Sequence, residues 1–265
     1  RLSPSTRTRQ NEVAKNSQET MVGVIDELVS IELDEVAGCA CMLDDGNFAA
    51  GFDSGEVRVY GCDGVVTGSV ALGSRAVGVA SLSGSLITGS SIEGVRAFHD
   101  QPLWEHSLKS GCEALASSSF GVVAADGSGR LVVISEDGSE AAQAEIGHVT
   151  HLACSPDGVC AAALEDGRLL LLGPDLEVLH DSPAAEDDVE TVSGLTFRPD
   201  GTLLAARNSL GMTVDVRPEN RIECWHSEAG LLNASELPSK ATALMPTEPG
   251  AIVGCFDGSI LSFEV

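Results

Sequence analysis

Glycine turns recur along this chain with a period near forty residues, and that regularity limits the fold more than any other feature. An apolar stretch runs into a turn at CMLDDG (ending at Gly46), SLSG (Gly84), CSPDG (Gly158), FRPDG (Gly201) and PTEPG (Gly250), with a weaker equivalent at Ser119-Phe120-Gly121. Successive spacings through Gly46, Gly84, Gly121, Gly158, Gly201 and Gly250 are 38, 37, 37, 43 and 49. A second turn follows each first one, as in FDSGEVRVY at Gly55, SIEGVRAF at Gly94, DGSGRLVVI at Gly129, EDGRLLLL at Gly167 and FDGSILSF at Gly258. Several copies add a third, at Gly64, Gly138 and Asp175. Asp-Gly between short apolar segments signals a hairpin, because glycine supplies the positive φ that tight turns need. Alternation such as Val57-Arg58-Val59 fits half-buried strands, and no helical period is sustained outside residues 22–33.

Each unit therefore reads as four antiparallel strands. A lone four-stranded sheet cannot bury both faces, whereas sheets stacked radially cover each other and leave few open edges. The expected fold is all-β: a six-bladed β-propeller with blades at 36–73, 74–109, 110–146, 147–182, 187–237 and 239–265. The last blade runs out of chain after three strands. Residues Met21 to Leu33 (MVGVIDELVSIEL) have no blade of their own, so this N-terminal strand is expected to complete the last blade and close the ring. Residues 21–265 then form one propeller domain, and the polar residues 1–20 a flexible tail.

Charge narrows the function. With 40 acidic against 15 basic residues the formal net charge is -25, the wrong sign for neutralising phosphates, so no direct nucleic-acid partner is expected. Only Lys15, Lys109 and Lys240 are lysines. Such a surface suits either strong brine or a basic partner. Apolar runs such as Leu169–Leu172 are too short to span a membrane as a helix. The eight cysteines include no CxxC pair, and Cys41, Cys154, Cys160 and Cys255 sit in apolar segments. They read as packing residues in a reducing, cytoplasmic setting, with no metal or cofactor expected.

Residues 147–173 resemble a WD-repeat blade: Gly147-His148, then Val149, Leu152, Cys154-Ser155-Pro156-Asp157-Gly158 and Glu165-Asp166-Gly167-Arg168-Leu169. Val192 to Gly201 is similar. The position that holds Trp in that family carries Tyr60, Phe98, Ile134, Leu172, Trp225 and Phe263 in successive blades, and only one blade keeps Gly-His. The resemblance implies a rigid platform for assembling proteins, without catalysis.

The fifth unit is longer than its equivalents between Leu203 and Trp225, extending the hairpin between its second and third strands. The resemblance places that hairpin end on the face carrying the connections between blades. Met212, Arg217, Asn220, Arg221 and Trp225 are the candidate contacts for a protein or peptide partner, with the two arginines able to hold a carboxylate or phosphate. Alternatively, Arg217 and Arg221 pair with Glu219, Glu223 or other nearby carboxylates. Asp53, Glu93, Asp126, Asp166 and Asp257 from the other hairpins converge on the same face and would favour a basic partner, unless they serve only their own turns. A second reading is a metal-dependent lactonase or hydrolase with an axial site, for which Asn208 and Asn233 are available. A third is a structural subunit of a larger assembly. No catalytic triad order or phosphate loop occurs, so no catalytic residue is assigned.

Overall fold

The computed structural model describes residues 33–183, 190–209, 219–248 and 250–264. Every element in them is a strand, and every strand pairs antiparallel with its sequence neighbour. The first sheet contains β1 (Ala37–Met42), β2 (Phe48–Phe52), β3 (Glu56–Tyr60) and β4 (Val66–Ala71). The second contains β5 (Ala76–Leu82), β6 (Ser85–Ser90), β7 (Gly94–Phe98) and β8 (Pro102–Ser107). The third contains β9 (Cys112–Ser118), β10 (Gly121–Asp126), β11 (Arg130–Ile134) and β12 (Glu140–Glu145). The fourth contains β13 (Val149–Cys154), β14 (Cys160–Leu164), β15 (Leu169–Leu172) and β16 (Val178–Ser182). The fifth contains β17 (Glu190–Phe197), β18 (Leu203–Ser209), β19 (Asn220–His226) and β20 (Gly230–Leu237). The sixth has three strands, β21 (Ala241–Thr247), β22 (Gly250–Cys255) and β23 (Ile260–Glu264).

The turns form where the sequence places them. Gly46, Gly55, Gly129, Gly158, Gly167, Gly201 and Gly258 all have φ between 82 and 91°, a region that costs glycine nothing. Each sheet also carries the same irregularity. The register slips near the start of the innermost strand, between Ala37 and Cys39, Ala76 and Gly78, Val149 and His151, Val192 and Gly194, and Ala241 and Ala243, with an equivalent slip beside Cys112. In the last three sheets the bulged residue is a hydroxyl: Thr150, Ser193 and Thr242 donate to the carbonyls of Ala163, Ala206 and Gly254 on the facing strand. A β-bulge raises the local twist.

The core sits between consecutive sheets. Ala49, Val57, Val79 and Leu86 join the first to the second. Ile87, Val95, Val122 and Val132 join the second to the third. Val123, Leu131, Ala162 and Leu170 join the third to the fourth, and Ala161, Leu169, Leu203 and Ala205 the fourth to the fifth. Leu204, Ile222, Ala251 and Val253 join the fifth to the sixth. Near the innermost strands the spacing is set by small residues: a Cβ on Gly78 would lie 2.6 Å from the Leu115 Cβ of the next sheet. In the third and fourth sheets the second and third strands are buried on both faces, while the outermost strands are exposed on one. The residues at the family's Trp position share one register point at or near the end of the third strand, opposite Phe48, Leu86, Val122, Cys160, Leu203 and Ala251.

The far face of the sixth sheet differs. Met245 is 53% exposed and Ile260 77%, and no described core cluster joins this sheet to the first. The far face of the first sheet is aromatic: Phe48 stacks on Tyr60, and the Arg58 guanidinium lies over Phe52. Residues 21–32 of the expected closing strand lie outside the described residues.

Candidate functional site

Four antiparallel strands return the chain to the face from which it set out. The hairpins between second and third strands therefore share one face with the connections between sheets. That face gathers the turns at Asp53, Glu93, Asp126, Asp166 and Asp257, the end of β18 and the start of β19.

Most of these acids serve their own turns. Asp126 Oδ1 accepts the Ser128 amide at 2.9 Å, the Ser128 hydroxyl at 2.6 Å and the Arg130 amide at 3.2 Å. Burial raises the Asp126 pKa, but the hydrogen bonds from Ser128 and Arg130 outweigh it, and the net shift is downward. Asp257 accepts the Ser259 amide at 3.0 Å and hydroxyl at 2.6 Å, and the Ser259 hydroxyl leads in lowering its pKa. Asp166 accepts the Arg168 amide at 3.0 Å. Glu93 pairs with Arg96 at 3.1 Å and accepts the Gly73 amide at 3.2 Å, tying the hairpin to the preceding connection. Asp53 is exposed.

The fifth sheet holds the strongest polar feature of the described residues, and its central member was not among the sequence candidates. Arg207, on β18, is 0% exposed. Its guanidinium meets Glu223 at 2.9 Å, donates to the Gly167 carbonyl at 2.6 Å and the Ser182 hydroxyl at 3.0 Å, and lies 3.6 Å from Glu190. Arg221 grips Glu190 with both terminal nitrogens and Glu223 through Nε at 2.8 Å. Burial lowers the Arg221 pKa, but the hydrogen bonds it donates to Glu190 and Glu223 reverse that and raise it. Two arginines and two glutamates on β17, β18 and β19 thus neutralise each other.

This geometry revises the candidates there. Arg221 is engaged within the chain, as the pairing alternative had it. Trp225 is a core residue at the far end of β19, 7% exposed, and its indole donates to Glu223 at 2.9 Å. Asn220 closes the base of the hairpin by accepting the Ser209 amide at 3.2 Å. Met212 and Arg217 lie outside the described residues. Asn208 exchanges two hydrogen bonds with the Ala241 backbone, at 2.9 and 2.8 Å, and Asn233 is exposed on the outermost strand β20. Among the described residues no group of three or more His, Cys, Asp and Glu could hold a metal ion.

Two cavities open on the hairpin face. One, of about 550 Å³, lies beside Asn220 and is lined by Glu236, Leu237, Pro238, Ser239, Lys240 and Phe256. Phe256 is 80% exposed, immediately before Asp257. The other, of about 460 Å³, is bordered by Arg75, Ser91, Glu113, His148 and Glu165. A larger groove of about 940 Å³ lies on the opposite face, between the first and second sheets, around Asp44, Val70, Phe98 and Asp100. Phe256 was not among the sequence candidates; its signal is an aromatic placed in a turn, beside Asp257, rather than in a strand.

No family model and no curated protein matches the sequence. Solved structures do. The WD40 domain of Neurospora crassa Pan2 superposes with a TM-score of 0.69 at 14% identity, over 85% of this chain and 74% of that one. The computationally designed protein Ika8 gives 0.67 at 18% identity, over 88% and 73%. The WD40 β-propeller domain of Doa1 gives 0.64 at 16%, over 84% and 76%. At these identities the likeness speaks for architecture: the chain has the fold of WD40 β-propellers.

Proposed function

We propose that this chain is a non-enzymatic interaction module of the cytoplasm, a six-bladed propeller closed by residues 21–33, that binds a protein or peptide across its hairpin face. The observation that carries the reading is Phe256. A large apolar side chain, 80% exposed, stands at the rim of a cavity of about 550 Å³ whose other walls include Leu237 and Pro238. Exposed aromatics beside a pocket are the usual anchors of an interface. The extended hairpin begins next to it, at Asn220, so Met212 and Arg217 belong to the same proposed surface. The net charge of -25 sets the partner's sign, because its field draws in basic chains and repels acidic ones.

The test is fluorescence anisotropy with labelled peptides that carry an aliphatic or aromatic residue within either a basic or an acidic sequence. Basic peptides should bind, and more weakly as salt rises. Phe256→Ser should weaken binding about tenfold or more, about 1.4 kcal/mol, without moving the unfolding midpoint. Unchanged binding by that variant refutes the site.

A further inference from the structure

The fourth sheet carries a chemistry separate from the hairpin face. Cys154 ends β13, Cys160 begins β14, and the two are direct partners across the strand pair. Ser155 N donates to the Val159 carbonyl at 2.7 Å, so the next pair inward, Cys154 with Cys160, is one without mutual backbone bonds. Side chains approach most closely at such positions, where Cα atoms stand about 4.5 Å apart. That separation lies within the roughly 4.4–6.8 Å that disulfides bridge. The two sulfurs are 2.8 Å apart. Among the described residues no other pair of cysteines makes such a contact. Among the described residues no third metal-binding side chain joins them.

We propose that Cys154 and Cys160 form a redox modification site, which takes a peroxide as its oxidant and holds the oxidation as an intramolecular disulfide. Access sets the order of events. Cys154 is partly exposed, beside exposed Pro156 and Asp157 in the turn, whereas Cys160 is fully buried. The Cys154 thiolate attacks one peroxide oxygen. The O–O bond breaks, hydroxide leaves and takes up a proton as water, and Cys154 is left as the sulfenic acid. The Cys160 sulfur then attacks the Cys154 sulfur. The S–S bond forms, the S–O bond breaks, and a second water leaves. Two thiols have given up two electrons and two hydrogens, and one peroxide has become two waters. The hydrogen bond with Cys160, followed by burial, holds the Cys154 thiol well above its ordinary pKa, so the reaction should quicken as pH rises. The bridge staples the β13–β14 hairpin, whose Gly158 packs against Phe120 of the third sheet.

The experiment treats the full chain with hydrogen peroxide, alkylates the remaining thiols under denaturing conditions, and maps the digested peptides by mass spectrometry. The expected product is a peptide joined at Cys154 and Cys160, lighter by two hydrogens and restored by dithiothreitol. The exposed Cys62 reports that oxidant was present. In Cys160→Ser the sulfenic acid should persist on Cys154 and be trapped by dimedone. Recovery of Cys154 and Cys160 both alkylated while Cys62 is oxidised overturns the proposal, as does a bridge from either to another cysteine. The wild-type mapping decides the matter even if the variant fails to fold.

Discussion

Arg207→Met removes the centre of the buried charge network and leaves two glutamates sharing one arginine. Arg207 is wholly buried, and its guanidinium joins Glu223 in the fifth sheet to Gly167 and Ser182 in the fourth. Methionine replaces the stem but not the charge, so one carboxylate at 3% exposure loses its compensation and the Gly167 carbonyl loses a donor. Breaking a buried pair from one side costs about 3–5 kcal/mol, because the stranded charge stays desolvated. For a domain of this size each kcal/mol moves the midpoint by about 2–4 °C, which gives a fall of roughly 6–20 °C. Urea denaturation followed by fluorescence measures the free energy directly. The double variant Arg207→Met/Glu223→Leu removes both charges, leaving the Arg221–Glu190 pair and costing the Trp225 indole its acceptor, about 1 kcal/mol. It should recover more than half of the single variant's loss. A single-variant loss below about 1 kcal/mol, or a double variant less stable than the single, refutes this reasoning.

Three other outcomes are expected. The Asp126 pKa is lowered in the folded state from 3.8, so its contribution is present above that pH and is lost as pH falls through the folded value. Asp126→Asn should therefore flatten the acid limb of stability against pH below about pH 4, read by denaturation at successive pH values; an unchanged limb counts against the turn role. Gly78→Ala forces a Cβ to within 2.6 Å of Leu115 and should cost about 1–3 kcal/mol, with partial rescue by Leu115→Ala; full stability in the single variant would mean that the second and third sheets are not in close contact there. Since the chain carries a net charge of -25, its thermal midpoint should rise between low salt and about 0.1 M, where screening reaches about 10 Å. A midpoint that falls over this range contradicts self-repulsion.

The strand plan was readable because each turn depends on a local chemical rule. Gly55, Gly129 and Gly258 mark hairpins through their positive φ, and Asp126 and Asp257 mark them through side-chain bonds to the residue two further on. The same locality explains the limits of the reading. Arg207 stands in an apolar run, Leu203 to Ala206, and its partners lie 16, 25 and 40 residues away, on two sheets. No window on the sequence brings them together. Trp225 looked like a surface anchor beside an insertion, yet the register sets it opposite Leu203, between the fourth and fifth sheets. The Cys154–Cys160 contact was hidden for a different reason. Both residues fit an apolar strand, and only the pairing of β13 with β14 sets them face to face.

Closure remains the centre of the account, because every inner sheet is covered on both sides while the sixth shows Met245 and Ile260 to solvent and has three strands among the described residues. Amide hydrogen exchange of Ile260–Glu264 tests it most directly, in the full chain and in one beginning at residue 34. Pairing with residues 21–33 predicts slow exchange for those β23 amides that face away from β22, lost when the segment is removed together with a lower, still cooperative unfolding midpoint. Equal exchange and an equal midpoint in the two chains would contradict the closed propeller.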